Sequence, residues 1–324
     1  MFVIVEGIDR VGKTTLCNRL ENNGFIILKD AFGQVKATNE KQQKLLATDS
    51  SVFPAYSLGK LDTAVQYIKA LCDKGYNIVV DRLHLTEMVY GFYDRPSMPL
   101  IERVKILDRM IDEMFGTQAM LVLVKPTDIE AASERAERDL SSHAEYFEVL
   151  FNESCIPRRI ETDFYHLDDA VKEIVSASST YDFYFASPFF RPDQVEREER
   201  LKRHLRLLGY KVFSPKEQCH LTATADSDSQ EAVFSDNVSA IRSSAAVFAV
   251  TDTKDMGTIW EAGFAYATGK PIIYYAETLG DNQFNVMLAK SGRVVCTSMQ
   301  DLTKERIDEV VYSGKNFIFE GVIE

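Results

Sequence analysis

The sequence lacks any apolar run near the roughly 20 residues that a bilayer span requires. It also lacks the charged region and cleavage site of a secretory signal, because the chain opens directly on the strand-like MFVIVEG. From these two absences we expect a soluble cytoplasmic protein with no membrane partner.

Cysteine is scarce, and its spacing fits neither a disulfide framework nor a zinc site. The five cysteines are scattered and form no CxxC pair. Runs of lysine or arginine are missing too, and the net charge is −12. A surface for polymeric nucleic acid is therefore not expected. Small anionic ligands remain compatible with this charge, because local loops form such sites.

The 324 residues, 45% of them hydrophobic, are enough for two domains that each bury a core. In the first half, continuous apolar runs alternate with helically spaced segments, which predicts a parallel sheet covered on both faces. The predicted strands are residues 2–5, 76–82 and 119–126, and the predicted helices are 13–20, 60–74 and 100–115.

A change in composition at residues 176–180, SASST, predicts a linker. The strand and helix pattern then restarts as a second, smaller α/β unit. We therefore predict domains at residues 1–178 and 179–324. The later strands are predicted at 181–188, 210–215, 245–252 and 270–277, and the later helices at 196–208, 237–244 and 260–268.

The segment GIDRVGKT at residues 7–14 matches the pattern GxxxxGK[ST] between a predicted strand and a predicted helix. In such a loop, glycines let backbone N–H groups close around phosphate, while Lys13 reaches the β- and γ-phosphates and Thr14 binds Mg²⁺. The alternative is a glycine-containing turn without a ligand. The residues expected to hold ATP are Gly7, Asp9, Arg10, Gly12, Lys13, Thr14 and Thr15.

Three segments in order resemble the thymidylate kinases and their deoxynucleoside-kinase relatives: FVIVEGIDRVGKTTL, VVDRLHLTEMVYG and ERAERD. The resemblance implies a P-loop kinase fold. It also implies Mg²⁺-dependent transfer of the ATP γ-phosphate to a deoxynucleoside or its monophosphate.

The same resemblance assigns roles to individual residues. Asp9 would hold the sugar hydroxyl, and Phe53 would stack on the base. Asp81 and Arg82 would lie beside the acceptor and the phosphates. The lid arginines, Arg135 and Arg138, would neutralise the transferring group, although charges at this spacing also suit a solvated helix face.

One departure from this family leaves the acceptor open. Ser57 stands where an arginine would grip the phosphate of the acceptor. The acceptor is therefore either a nucleoside or a nucleotide with an unusual base.

In the second half, Gly257 and Gly263 flank a single acid, Glu261, in a predicted apolar helix. Such an acid either complements the helix dipole or lines a cleft. The segments DFYFASPFF, DNVSAIRSSAAVFAV, DMGTIWEAGFAYATGKPII and NQFNVML resemble the nucleoside 2-deoxyribosyltransferases. This resemblance implies a flavodoxin- or Rossmann-like domain.

The resemblance makes Glu261 the nucleophile that attacks the anomeric carbon of a 2′-deoxynucleoside. Tyr184 would position it, Asp255 would handle the proton of the base, and Gly257 would lie at the substrate. Asn285 would be lent to the sugar site of a neighbouring subunit, which implies a homo-oligomer. The remaining acid of the family aligns with Asn237, and Asp236 stands one residue earlier.

A carboxylate nucleophile and a second acid are the two groups that retaining glycoside hydrolysis uses. A hydrolase branch that cleaves deoxynucleoside monophosphates remains open through Ser187 and the group Ser239, Ser243 and Ser244. We predict a bifunctional enzyme that acts on nucleosides, nucleotides and nucleobases. The alternative from another class is that one half only binds nucleotides and has a regulatory role.

Overall fold

The computed structural model describes residues 1–28, 53–94, 100–218, 226–279 and 283–323, with the side chains of 53–60, 100, 101 and 103 outside the description. The chain forms two compact units, one of residues 1–21 and 25–170 and the other of residues 22–24 and 171–324. Each is built on a five-stranded, all-parallel sheet. The predicted α/β class with two α/β domains is confirmed.

The sheet of the first unit has the strand order β2-β3-β1-β4-β5. Its central strands are fully buried, as continuous apolar sequence covered on both faces requires. The strands are β1 (Phe2–Glu6), β2 (Phe25–Leu28), β3 (Asn77–Asp81), β4 (Ala119–Val124) and β5 (Arg158–Thr162).

Helices connect these parallel strands, because a parallel pair needs a crossover. They are α1 (Lys13–Glu21), α2 (Phe53–Asp73), α3 (His84–Asp94), α4 (Leu100–Phe115), α5 (Ile129–Ala136) and α6 (Ser141–Glu153). The division between the units falls inside α7 (Leu167–Ser178). The domain boundary predicted after residue 178 lies at the end of this helix and stays a prediction.

The second unit has the strand order β10-β9-β8-β6-β7. Its strands are β6 (Tyr181–Ala186), β7 (Val212–Phe213), β8 (Ser244–Val250), β9 (Ile272–Tyr275) and β10 (Val294–Cys296). The chain runs from β6 outward to β7 and then returns to β8 on the other side of β6. The carboxyl ends of β6 and β8 thus flank the point where the strand order reverses, which is where open α/β sheets bind ligands.

Six described helices complete the second unit: α8 (Pro192–Leu207), α9 (Pro215–Gln218), α10 (Ser227–Arg242), α11 (Met256–Ala267), α12 (Val286–Ser291) and α13 (Lys304–Val311). The strand predicted at 210–215 is reduced to two residues. The sequence also placed the start of α10 at Asn237, and this was wrong.

Helix α10 begins ten residues earlier because Asp226 caps it, accepting a hydrogen bond from the backbone N–H of Ser229 at 2.9 Å. Its first turn and a half is exposed and polar, so no apolar spacing marks it in the sequence. Asn237 consequently lies within the helix and does not head it. None of the helices in the described part of the chain has the length and apolar composition that a bilayer crossing demands.

Candidate active sites

The loop 7–14 joins β1 to α1 and depends on two glycines with positive φ, 137° at Gly7 and 105° at Gly12. A Cβ on Gly7 would lie 2.4 Å from the Val124 carbonyl oxygen, and one on Gly12 would lie 2.9 Å from the Phe164 ring. Any other residue would therefore meet both backbone strain and a clash. Glycine thus lets the loop backbone pack closely at both positions, as it does in loops whose backbone N–H groups surround an anion.

Lys13, the first residue of α1, is buried, and its ammonium donates a hydrogen bond to the Ile8 carbonyl within the same loop. Burial first, and the nearby charge of Arg82 second, lower the pKa of Lys13 to about 8. The ammonium is thus held inside the loop, where the charge of an anionic ligand would stabilise it.

Thr14, in the first turn of α1, contacts Asp81, the last residue of β3: the Thr14 hydroxyl donates to Asp81 Oδ2 at 2.6 Å. Asp81 Oδ1 is buried without a hydrogen-bond partner among the described residues. A hydroxyl and a free carboxylate oxygen suit Mg²⁺, which binds proteins through one or two carboxylates together with substrate phosphates. The described residues contain no cluster of three or more His, Cys, Asp or Glu arranged for a metal.

Arg82 follows β3 in the left-handed conformation, with a φ of 77°. Glu6, at the end of β1, holds this turn from below: one carboxylate oxygen accepts the N–H groups of Leu83 and Leu85, at 2.9 and 3.1 Å, and the other accepts the Thr86 hydroxyl. Burial raises the pKa of Glu6. Sequence reasoning missed this residue, although it stands directly before Gly7.

Asp9 lies between two arginines. Arg82 Nη2 donates to its Oδ1, and Arg138 Nη2 donates to its Oδ2 at 3.4 Å. Burial acts to raise the pKa of Asp9, but the hydrogen bond and charge of Arg82, together with the charges of Lys13 and Arg138, outweigh burial and lower the pKa. Two predicted arginines, Arg82 and Arg138, thus share the carboxylate of a third predicted residue, Asp9.

The two predicted lid arginines have different surroundings. Arg138 Nη1 donates to Asp94 Oδ2 at 2.7 Å, and its guanidinium lies 5.1 Å from the centre of the Tyr90 ring. Arg135 Nε instead donates to the Ala131 carbonyl of its own helix, at 2.9 Å. The carboxylate anchor at Asp94 was not predicted, because 44 residues separate it from Arg138 in sequence.

A cavity of about 1430 Å³ opens in the first unit. Its lining includes residues 9–15, Arg82 and the α5 segment that carries Arg135, together with two aromatic side chains that sequence reasoning missed, Phe164 and Tyr165. Its volume exceeds that of most small-molecule pockets, which measure about 300–1,000 Å³. Phe53 begins α2, and its predicted stacking role lies outside the described side chains.

In the second unit, Tyr184 on β6 meets Glu261 on α11, and the Tyr184 hydroxyl donates to Glu261 Oε1. Tyr184 is fully buried and stacks on Phe213, which fixes its ring. Burial raises the pKa of Glu261 to about 7, the Tyr184 hydrogen bond opposes this shift, and the charge of Asp255 adds to it.

Glu261 is the sixth residue of α11, beyond the first turn, so it does not complement the helix dipole. Asp255 occupies the cap position: its Oδ2 accepts the backbone N–H of Thr258 at 2.8 Å and the Thr258 hydroxyl at 3.0 Å. Gly257 follows in the first turn, where a Cβ would approach Asp255 Oδ2 to 3.2 Å. The two acids that the sequence selected thus belong to one helix, Asp255 at its cap and Glu261 in its second turn, where the charge of Asp255 acts on Glu261.

Asp236 is exposed on α10, whereas Asn237 is partly buried. Asn237 is therefore the more shielded of the two residues proposed for the remaining acid position. Which of them fills that position stays a prediction.

Asn285 is exposed and caps α12, where its Oδ1 accepts the Met287 N–H at 3.0 Å. Met287 is 75% exposed. A residue lent to a neighbouring subunit has to lie at the surface, and Asn285 meets that requirement. The homo-oligomer stays a prediction.

The serines that kept the hydrolase branch open do not form one group. Ser243 precedes β8 and Ser244 is its first residue, and their hydroxyls donate to the Ala240 carbonyl at 3.3 and 2.7 Å. Helix α11, which carries Glu261, follows the opposite end of that strand. Ser187 follows the carboxyl end of β6. Of these side chains, Ser187 alone adjoins the strand ends that flank the reversal point.

No curated protein matches the chain. Among solved structures, a 2-deoxyribosyltransferase of Bacillus psychrosaccharolyticus is 25% identical, with 42% of this chain and 98% of that chain covered and a TM-score of 0.35. A conserved protein of Enterococcus faecalis is 26% identical, with 39% and 96% covered and a TM-score of 0.33. The YorR protein of Bacillus subtilis, in complex with phosphorylated GDP, is 16% identical, with 54% and 94% covered and a TM-score of 0.39.

At TM-scores below 0.5, these three likenesses support no inference. The model of the family described as nucleoside 2-deoxyribosyltransferase, in contrast, matches residues 183–298. The matched range contains Tyr184, Asp255, Glu261 and Asn285. The match lies within the second unit and supports a nucleoside 2-deoxyribosyltransferase-like domain there.

Proposed function

We propose that this chain is a bifunctional enzyme of deoxynucleotide metabolism. Its second unit exchanges the N-glycosidic bond of 2′-deoxynucleosides through Glu261. Its first unit transfers the γ-phosphate of ATP to a deoxynucleoside or its monophosphate. The observation that carries the proposal is the hydrogen bond between Tyr184 and Glu261 inside the matched range. The geometry of the loop 7–14 supports the phosphoryl transfer by the first unit.

The glycosidic reaction begins with attack of a Glu261 carboxylate oxygen on the anomeric carbon of the sugar. The bond from that carbon to the base nitrogen breaks with its electron pair passing to the nitrogen, and Asp255 relays a proton from solvent to the departing base. An ester between the sugar and Glu261 results. A second base then attacks the anomeric carbon, the ester C–O bond breaks to release the Glu261 carboxylate, and the proton of the incoming base leaves through Asp255 to give the exchanged nucleoside. Tyr184 orients the nucleophile and favours its charged form.

Hydrolysis of deoxynucleoside monophosphates is the competing reaction for this unit. Exchange is favoured by the surface position of Asn285 and by the hydrogen bonds that occupy Ser243 and Ser244 at the far end of β8. Incubating deoxynucleoside monophosphates without an acceptor base separates the two reactions. Release of free base together with deoxyribose 5-phosphate would favour the hydrolase.

Phosphoryl transfer requires positioning and positive charge more than covalent chemistry. Lys13 would contact the β- and γ-phosphates, and Arg82 and Arg138 would balance the charge of the transferring group. Mg²⁺, held by Thr14 and Asp81, would neutralise phosphate charge when bound. Asp9, between the two arginines, is placed to accept a sugar hydroxyl of the acceptor.

The decisive experiment is a substrate panel on the intact chain, with and without ATP, on wild type and two variants. We expect Glu261→Ala to abolish base exchange and to leave phosphoryl transfer intact, and Lys13→Ala to do the reverse. Each variant is thus the control for the other. Exchange that survives Glu261→Ala would show the nucleophile to be misassigned.

The panel also tests whether one unit merely binds nucleotides. If no acceptor is phosphorylated although ATP still binds, the first unit is a regulatory module. Near-normal transfer by Lys13→Ala would show that the loop 7–14 is not the phosphate site.

A further inference from the structure

Five charged or polar side chains form a continuous chain in the first unit, from Arg82 through Asp9, Arg138 and Asp94 to His143. The last contact joins His143 Nε2 to Asp94 Oδ1 at 3.2 Å. The His143 ring is buried and lies against Tyr93 and Tyr90, with ring centres 4.5 and 5.3 Å away.

The two carboxylates that hold Arg138 do so unequally. The bond to Asp94 is 2.7 Å long, whereas the bond to Asp9 is 3.4 Å and shares Asp9 with Arg82. An incoming anion competes more readily for the long, shared bond than for the short one. The Asp9 side of the guanidinium is therefore the exchangeable side.

We propose that Asp94, backed by His143, is a positioning residue that anchors Arg138 while the opposite side of its guanidinium turns from Asp9 to the phosphoryl group in transfer. This inference rests on the kinase activity proposed above. His143 contributes by donating from Nε2, which fixes the orientation of the Asp94 carboxylate. Neither residue touches the substrate, and both act through Arg138.

The test compares Asp94→Asn, Arg138→Ala and the double variant for kcat and for the KM of ATP. Removing one electrostatic donor costs on the order of 100-fold in kcat, and Asp94→Asn weakens the anchoring of such a donor, Arg138, without removing it. We therefore expect Asp94→Asn to lower kcat by about 10- to 100-fold, with a smaller change in the KM of ATP. If Asp94 acts through Arg138, the double variant will be no slower than Arg138→Ala alone. Multiplicative losses would overturn the positioning role.

A second pair of variants isolates the donor on His143. The amide of His143→Gln can still donate to Asp94, whereas His143→Leu keeps bulk and loses the donor. We expect kcat to be substantially higher for the glutamine variant than for the leucine variant. Equal rates would overturn the role of His143, even if Asp94→Asn were to fold poorly.

The outcome for wild type separates this inference from the function on which it rests. If wild type phosphorylates no acceptor, the proposed kinase activity fails, and the role of Asp94 fails with it. If wild type is active and Asp94→Asn matches its kcat, only the positioning role is overturned. Base exchange by the second unit of the same samples measures the amount of intact chain.

Discussion

At the scale of single residues, the hydrogen bond from the Tyr184 hydroxyl lowers the pKa of Glu261, against the larger effect of burial, and so favours its charged form. In the proposed reaction the Glu261 carboxylate is the nucleophile, so base exchange should rise with pH through the Glu261 pKa of about 7. Tyr184→Phe removes the hydrogen bond that lowers this pKa, and the acidic limb of kcat/KM should move to higher pH. The variant should therefore lose more activity at pH 6 than at pH 8.

Asp255→Asn provides the contrast for this pH profile. Its loss of charge removes an interaction that raises the Glu261 pKa, so any residual activity should show a limb at lower pH. Opposite displacements in the two variants identify Glu261 as the titrating group. Identical limbs in wild type and both variants would assign the limb to another group.

If the loop 7–14 binds ATP as proposed, Lys13 couples that binding to proton uptake. Its pKa of about 8 leaves much of the side chain uncharged at pH 8.5, and a bound triphosphate favours the ammonium. We expect binding at pH 8.5 to take up a fraction of one proton. Calorimetry in two buffers of different ionisation enthalpy measures this uptake. It should vanish in Lys13→Ala, and a wild-type heat that is independent of buffer would contradict it.

At the scale of secondary-structure elements, Glu6 holds the turn between β3 and α3. Glu6→Ala would leave the N–H groups of Leu83 and Leu85 buried without an acceptor, at about 1–3 kcal/mol for each unsatisfied group. Glu6→Gln keeps an acceptor and should cost less. Urea unfolding of the first unit would show this ranking, and equal stability of the two variants would contradict it.

The elements also show where sequence reasoning succeeds. Strands such as β1, β4 and β8 are continuous apolar runs, because both faces of a parallel sheet are buried, and the sequence predicts them. Helix α10 begins with polar, exposed turns, so its start is set by the cap at Asp226, and apolar spacing does not reveal it. The short β7 has too few residues to leave a pattern.

The candidate sites divide in the same way. The loop 7–14 and the segment around Glu261 are local in sequence, and the sequence selects them. Asp94 and Tyr90 contact Arg138, and His143 contacts Asp94, only after α3 and α6 pack together, and no local pattern marks these residues. The roles that the structure adds are those of residues distant in sequence that share one carboxylate or one guanidinium.

At the scale of the whole molecule, the boundary between the units can be tested by truncation. Val171, Ile174 and Val175 of α7 are buried and belong to the second unit, and Lys172 pairs with Asp308 at 2.8 Å. A fragment of residues 179–324 loses these contacts. We expect it to melt at a lower temperature than a fragment of residues 167–324. Equal melting temperatures would favour the boundary after residue 178.

Because both sheets belong to one polypeptide, the two candidate sites are always made in a ratio of one to one. Every ribosome that completes this chain makes one loop around Lys13 and one carboxylate at Glu261, so the cell cannot adjust the supply of one site without the other. Any balance between the two proposed reactions must come from turnover rates and substrate levels, because gene expression changes both sites equally.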